Sequence, residues 1–395
     1  MALRELRRLR DKGAVVGIGT SDFGHTAGVD DTSRIAEALR NALDDAGLRK
    51  QDIDGMIVNL GPEVDRLPQL LGMEIDYAFG TWRHSRMSAG CIQLASMVVH
   101  AGLANYVVCI SGNSSDSLRR VGGVQEGGGE AFRPGGGPHW EFPHFGMVHP
   151  GALAAMAFRR YVDFYGGRAE NLGAVAVAQR KGASLNPIAV YKKPITMDDY
   201  VNARFVIEPL RLFDFSAIMN GMLCVIVTTP ERAKNLRKPP IYISGMQGMR
   251  TGRKQVVFAM PGIGAGADDL YRYSPPKSQK VYDMAGVKRE DVDIFYVHDS
   301  FSPEVIYGLE QFGFCPPGEA LSWIQGGRIE IGGELPVNTN GGHLSEGTLG
   351  GWGQIVEAIR QLRAEAGQRQ VQGAKVAQYA VGTYASVIFK NFRER

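Results

Sequence analysis

The chain has 395 residues, 44% of them hydrophobic and 22% charged, with a net charge of +3. This is the composition of an ordinary globular protein, and the length implies two domains or a duplicated one rather than a single simple core. The small net charge and scattered arginines, with no basic stretch interleaved with aromatics, exclude a dedicated nucleic-acid binder.

No segment approaches the ~20 consecutive apolar residues of a membrane span. Met1 to Lys12 is charged and lacks the apolar core of a signal peptide. The four cysteines, Cys91, Cys109, Cys224 and Cys315, lie far apart and form no CxxC pair, so neither a metal site nor a disulfide framework is expected. Cys109 and Cys224 sit in apolar runs, as buried thiols do. Together these features fit a cytoplasmic protein.

In chain order, Ala14 to Gly19 reads as a short buried strand closed by glycine. Thr32 to Ala46 has helical spacing, with Asp30, Asp31 or Thr32 available as N-cap and Gly47 as the stop. Ile53 to Val58 is the next strand, which completes the strand–helix–strand unit of a parallel sheet. Ser88 to Ala101 is small, apolar and helical, suited to the middle of the molecule, and Tyr106 to Ile110 is another strand. Nearly half of the residues from Val121 to Gly137 are glycine, which reads as a mobile loop. It leads to an aromatic segment, Pro138 to Phe145, that carries His139 and His144, an arrangement suited to a lid or an interface loop.

Gly151 to Tyr165 and Ala169 to Ser184 are expected to be helical, and Leu223 to Val227 extended. Pro230 to Pro240 reads as a linker, after which Ile241 to Ser244 restarts the pattern. Thr348 to Ala364 is a strong helix with Ile355, Val356, Ile359 and Leu362 on one face. Ala374 to Ala380 and Ala385 to Phe389 close the chain as strands. An internal repeat underlies this order. Asp45-Ala46-Gly47-Leu48-Arg49-Lys50-Gln51-Asp52-Ile53-Asp54 matches Met284-Ala285-Gly286-Val287-Lys288-Arg289-Glu290-Asp291-Val292-Asp293. Each copy follows a helix and precedes a strand, which implies a duplicated α/β unit.

Two stretches carry candidate chemistry. The apolar run Ile294 to Val297 delivers His298, Asp299 and Ser300 where a strand ends, the place at which α/β sheets bind ligands. Asn338 to Gly347 sets His343 among glycines, where backbone can approach a ligand closely. His298 is the strongest catalytic candidate and His343 the second. Asp299 fits a hydrogen-bond partner better than a base. Arg159, Arg160, Arg180 and Lys181 lie on predicted helices, where such charges usually form a solvated face.

Taken together, Val15 to Gly19, the Asp45 to Gly55 turn, the small-residue helix running into Gly102 to Val108, and Phe213 to Ser216 with Asn220-Gly221 resemble the thiolase superfamily. With His298-Asp299-Ser300-Phe301 and Asn338 to Gly347, the resemblance is to its sterol-carrier-protein-thiolase-like branch and covers nearly the whole chain. It implies an α/β fold, the five-layer αβαβα arrangement built from two duplicated halves. These are residues 1–235, with a loop region inserted at about 115–215, and residues 236–395. It also implies a homodimer, acyl-CoA substrates in which coenzyme A is part of the substrate rather than a bound cofactor, and a small partner protein with a zinc ribbon and an oligonucleotide/oligosaccharide-binding (OB) fold.

The departures from the family pattern decide the expected reaction. Members that perform Claisen chemistry carry a cysteine nucleophile at the start of the buried helix, and Ser85 stands at that position here. Cys91 lies further along, where a thiol points into packing. The last glycine-rich loop, Val381-Gly382-Thr383-Tyr384-Ala385, has no cysteine, and Gly347-Thr348-Leu349 replaces the family's Gly-His-Pro. A serine alcohol is a poor nucleophile unless a base sits beside it. Retro-aldol cleavage of a β-hydroxyacyl-CoA needs only a base, which a histidine near neutral pKa can supply, and donors for the enolate oxygen. The chain resembles the thiolase-like aldolases of steroid side-chain degradation. Those enzymes use two tyrosines, whose places here are His298 and Thr348. Tyr296 and Tyr384 are weaker candidates for the missing phenol, and Gly382 for a backbone donor. The alternatives are an acyltransferase acting on a β-ketoacyl-CoA through an unusual nucleophile, Ser85 or Cys91, and a thiolase-like subunit without chemistry of its own.

Overall fold

The structure is a computed structural model that describes residues 7–24, 30–81, 85–113, 150–249, 275–381 and 385–393. Gly382, Tyr384, the glycine-rich stretch Val121 to Gly137 and the aromatic segment after it lie outside the described residues.

The repeated sequence folds the same way twice. In the first copy, helix Asp31–Ala46 begins at Asp30, whose carboxylate accepts the Ser33 N–H at 3.0 Å, and ends at Gly47 in the left-handed region (φ 73°). A 3-10 turn, Lys50–Asp52, then feeds a strand. In the second copy, helix Pro275–Ala285 is followed by Gly286 (φ 70°), the turn Arg289–Asp291 and another strand. Glycine is required at both stops because a Cβ disfavours positive φ.

The strands are β1 (Gly13–Thr20), β2 (Gly55–Val58), β3 (Tyr77–Gly80), β4 (Tyr106–Asn113), β5 (Phe205–Ile207), β6 (Leu210–Arg211), β7 (Gly221–Thr228), β8 (Ile241–Gln247), β9 (Ile294–Val297), β10 (Val376–Val381) and β11 (Ala385–Lys390). Among the described residues nine of them join in the order β3-β2-β4-β7-β1-β8-β11-β10-β9, while β5 and β6 form a small hairpin. From β1 outward, β7 and β4 follow antiparallel and β2 and β3 parallel. From β8 outward the senses repeat: β11 and β10 antiparallel, then β9 parallel. The two half-sheets meet where Gly13 to Val15 of β1 pair with Ile241 to Ile243 of β8.

Residue alternation along each strand sorts side chains to two faces. The inner faces of both half-sheets, for example Val225 and Val227 on one and Tyr379, Val387 and Phe389 on the other, close on a shared layer made of helices Ser88–Ala101 and Trp352–Leu362. Each fully buried side chain of this layer, such as Ile355 or Ile359, contributes about 1.5–3 kcal/mol. The outer face of the first half-sheet packs against helix Asp31–Ala46. The outer face of the second packs against helices Pro303–Phe312 and Gly151–Tyr165, with Val281, Tyr282 and Ala285 in the same cluster. Helix, sheet, helix, sheet, helix is the five-layer arrangement.

Two expected helices are shorter than their sequence patterns. The expected helix from Thr348 begins only at Trp352, because Gly350 (φ 62°) and Gly351 (φ 86°) hold left-handed conformations that a helix cannot include. In Ala169 to Ser184, a 3-10 turn occupies Ala169–Leu172 before the helix Gly173–Ser184. Among the described residues no helix is long and apolar enough to cross a membrane.

Candidate active site

The site forms where the second half-sheet meets the start of the buried helix Ser88–Ala101. β9 ends at Val297, and His298 keeps contact with the sheet through its N–H, which donates to the Ala380 carbonyl at 2.9 Å. Asn338, a non-glycine residue at φ 47°, docks the glycine-rich segment along β9. Its carboxamide accepts the Val297 N–H and donates to the Val297 carbonyl, both at 2.9 Å, as a neighbouring strand would. This pairing sets His343 against His298, ring edge to ring face, with centroids 4.6 Å apart and planes at 88°.

The two histidines have different partners. His298 Nδ1 lies 3.1 Å from Glu304 Oε2, and Glu304 Oε1 lies 3.3 Å from Arg86 Nη2; all three side chains are buried. A carboxylate paired with an arginine only accepts, so in the neutral imidazole Nδ1 carries the hydrogen and Nε2 presents the lone pair. That lone pair faces the Ser85 hydroxyl at 3.2 Å. Ser85 opens the 3-10 turn Ser85–Met87 that leads into helix Ser88–Ala101.

His343 Nε2, by contrast, accepts the Gly351 N–H at 2.7 Å. Its Nδ1 is 3.8 Å from Asp299 Oδ1. Burial, reinforced by the neighbouring His298 ring, holds His343 well below the ordinary imidazole range. Asp299 is fully buried, which pushes its carboxyl well above the usual range. Its Oδ1 accepts the His343 N–H at 3.0 Å and the Gln354 side chain at 2.8 Å. Asp299 therefore braces the glycine-rich segment.

The remaining sequence candidates lie elsewhere or are engaged. The Tyr296 hydroxyl shares a hydrogen bond with Thr339 Oγ1 at 2.8 Å, within a buried network that includes Glu357 and Arg369. Thr348 Oγ1 donates to the Ala217 carbonyl at 2.7 Å. Gly382 and Tyr384 lie outside the described residues. Cys91 is buried, 3.9 Å from Thr81 Oγ1, and burial pushes its thiol up to about 12, so it stays protonated near neutral pH. Arg180 is not part of a solvated face: it is buried, with its guanidinium 5.1 Å from the Tyr191 ring and 5.5 Å from the Phe213 ring. Arg159 pairs with Asp163, and Lys181 with Glu330, as exposed helical charges do.

Three residues packed around this arrangement, Glu304, Arg86 and Tyr379, are not among the sequence candidates. Glu304 has a local signal, since it follows Pro303 in the first turn of a helix six residues after His298. Arg86 and Tyr379 have none. The Tyr379 hydroxyl reaches Ser88 Oγ at 2.8 Å across the half-sheet boundary.

Known proteins bear on this arrangement. A family model described as thiolase C-terminal domain-like matches residues 268–387. A 17-hydroxy-3-oxo-4-pregnene-20-carboxyl-CoA lyase of Mycobacterium tuberculosis is 35% identical over 90% of this chain and 92% of its own length. A steroid side-chain-cleaving aldolase of Thermomonospora curvata is 33% identical over 89% of this chain and 90% of its own. The solved structure of an Ltp2-ChsH2(DUF35) aldolase superposes with a TM-score of 0.85 at 31% identity, covering 98% of this chain and all of that one. Human mitochondrial 3-ketoacyl-CoA thiolase, at 15% identity and a TM-score of 0.67, shares the fold. The chain belongs to the thiolase superfamily, among its sterol-carrier-protein-2-thiolase-like aldolases.

Proposed function

We propose that this enzyme, a carbon–carbon lyase of the thiolase-like aldolase type, cleaves a β-hydroxyacyl-CoA to a carbonyl compound and a shorter acyl-CoA. The observation that carries the reading is His298. Glu304 fixes its tautomer, and its Nε2 lone pair faces an accessible serine rather than a backbone amide. In the reaction Nε2 takes the proton of the β-hydroxyl, the Cα–Cβ bond breaks, and its electron pair enters the thioester as an enolate. The start of helix Ser88–Ala101 lies beside Ser85, and the positive end of its dipole favours the enolate oxygen there. A proton then adds to Cα.

The lyase from Mycobacterium tuberculosis acts, by its name, on a steroid carboxyl-CoA with a hydroxyl on the carbon β to the thioester carbonyl. A bulky polycyclic acyl group of that kind is the substrate class proposed here. We also propose a small partner, a zinc-ribbon and OB-fold protein. The name of the superposed aldolase, which joins two components, supports an assembly of this sort. A homodimer is supported by β3, which lies at the sheet edge with Phe79 exposed.

The test is product analysis by liquid chromatography and mass spectrometry with a β-hydroxyacyl-CoA that bears a ring ketone precursor. The expected products are the ketone and the shortened acyl-CoA, and His298→Ala lowers their rate at least ~100-fold. Undiminished cleavage by His298→Ala rules out this role for the residue.

A further inference from the structure

Ser85, His298, Glu304 and Arg86 close a ring across the site. Ser85 Oγ meets His298 Nε2 at 3.2 Å, His298 Nδ1 meets Glu304 Oε2 at 3.1 Å, and Glu304 Oε1 meets Arg86 at 3.3 Å. The ring closes through the chain because Arg86 follows Ser85. The Ser300 N–H also donates to Glu304 Oε2 at 3.1 Å, which fixes the carboxylate further. Hydroxyl, imidazole and carboxylate in this order are the parts of an activated serine nucleophile. A thioester carbonyl placed at the start of helix Ser88–Ala101, the positive end of its dipole, would lie beside Oγ.

We propose that the same site has a second activity, the hydrolysis of acyl-CoA thioesters that lack a β-hydroxyl, through an ester on Ser85. The inference rests on the reading that acyl-CoA occupies this site. A β-hydroxyl competes with Ser85 for the Nε2 lone pair; without one, the serine keeps it. Ser85 Oγ–H then gives its proton to Nε2 as Oγ attacks the thioester carbonyl carbon. The tetrahedral intermediate collapses with cleavage of the C–S bond, and the imidazolium returns the proton to the departing sulfur as free CoA. Water adds to the Ser85 ester with His298 as base. Oγ leaves with the proton, and the carboxylic acid is released. The sum is thioester plus water giving acid plus thiol.

The full chain, co-expressed with its partner where one co-purifies, is incubated with a saturated acyl-CoA and, in parallel, with a β-hydroxyacyl-CoA of the same acyl skeleton. A thiol reagent follows free CoA, and intact-mass and peptide mass spectrometry follow the protein after acid quenching. The expected result is CoA release from the saturated thioester, an acyl adduct mapped to the peptide that holds Ser85, and loss of both in Ser85→Ala, the release falling at least ~100-fold. Glu304→Gln, with folding checked by circular dichroism, slows adduct formation and shifts its pH profile, which a merely structural serine contact would not do. Cleavage of the β-hydroxyacyl-CoA with no CoA release from the saturated one overturns the inference and leaves the lyase reading standing. CoA release that persists in Ser85→Ala also overturns it. Failure of both reactions overturns both readings.

Discussion

His343 Nε2 accepts the Gly351 N–H at 2.7 Å, so the lone pair of the second histidine is already in use. Two histidines stand ring against ring, and only His298 faces a hydroxyl through its basic nitrogen. This separates the pair into a candidate base and a residue that holds the loop Thr348 to Gly351 in place.

His343→Ala leaves the buried Gly351 N–H without its acceptor and is expected to cost about 1–3 kcal/mol. His343→Gln restores an acceptor and recovers part of that loss. The pH dependence follows from the depressed pKa of His343. An unfolded histidine titrates near ~6.5. Below that pH the unfolded chain takes up a proton that the native state refuses, so the stabilisation present above it is lost as pH falls toward the folded pKa. The raised carboxyl of Asp299 acts in the opposite sense but is common to both proteins, so as pH falls from 8 to 5 the wild type should lose stability relative to His343→Gln in denaturant unfolding. Equal slopes would remove His343 as its source.

Glu304→Gln addresses the other histidine. The substitution takes the Glu304 charge out of its buried pair with Arg86, and breaking one side of a buried pair costs about 3–5 kcal/mol. It also removes the carboxylate that selects the His298 tautomer. Turnover is expected to fall at least ~100-fold in molecules that remain folded. Steady-state kinetics on the fraction that retains the native circular dichroism spectrum checks it.

Gly351 is required on two counts. Its φ is 86°, and a Cβ there would lie 1.7 Å from the Tyr379 hydroxyl. Gly351→Ala is therefore expected to destabilise the protein by more than ~2 kcal/mol. Tyr379→Phe removes the oxygen that the new methyl meets first. The double variant should be less unstable than the sum of the two single losses, while the strain of positive φ stays. A double-mutant cycle measured by chemical denaturation gives the coupling; strict additivity would place the clash elsewhere.

A fourth expectation concerns the two halves of the fold. Arg363, at the end of helix Trp352–Leu362, reaches Asp45 Oδ2 at 2.7 Å, and that oxygen also accepts the Ile18 N–H at 3.0 Å. The guanidinium is fully buried and also donates to the Pro239 carbonyl at 3.2 Å. Arg363→Ala should cost about 1.5–3 kcal/mol, the value of charge-assisted hydrogen bonds, and the shift in the denaturation midpoint reads it directly.

The sequence by itself determined the repeated helix–turn–strand units, since Ala-Gly at each helix end and the Asp that closes each 3-10 turn are local signals that need no tertiary contact. It also placed His298 at a strand end and His343 among glycines, because strand alternation and glycine are short-range effects; the glycine-rich segment is not a plain loop, however, since His343 lies in a single helical turn, Gly342–Ser345. What each side chain does there was decided only by tertiary structure. Ser85 and His298 are 213 residues apart in the chain, and Arg86 and Glu304 are 218. Tyr296 belongs to the same strand as the approach to His298, yet its hydroxyl bonds Thr339 in another buried network. The lone pair of a histidine carries no trace in the sequence. Which donor it meets depends on how the two half-sheets and the helices between them close, and that closure leaves one imidazole holding a backbone amide and the other facing a serine.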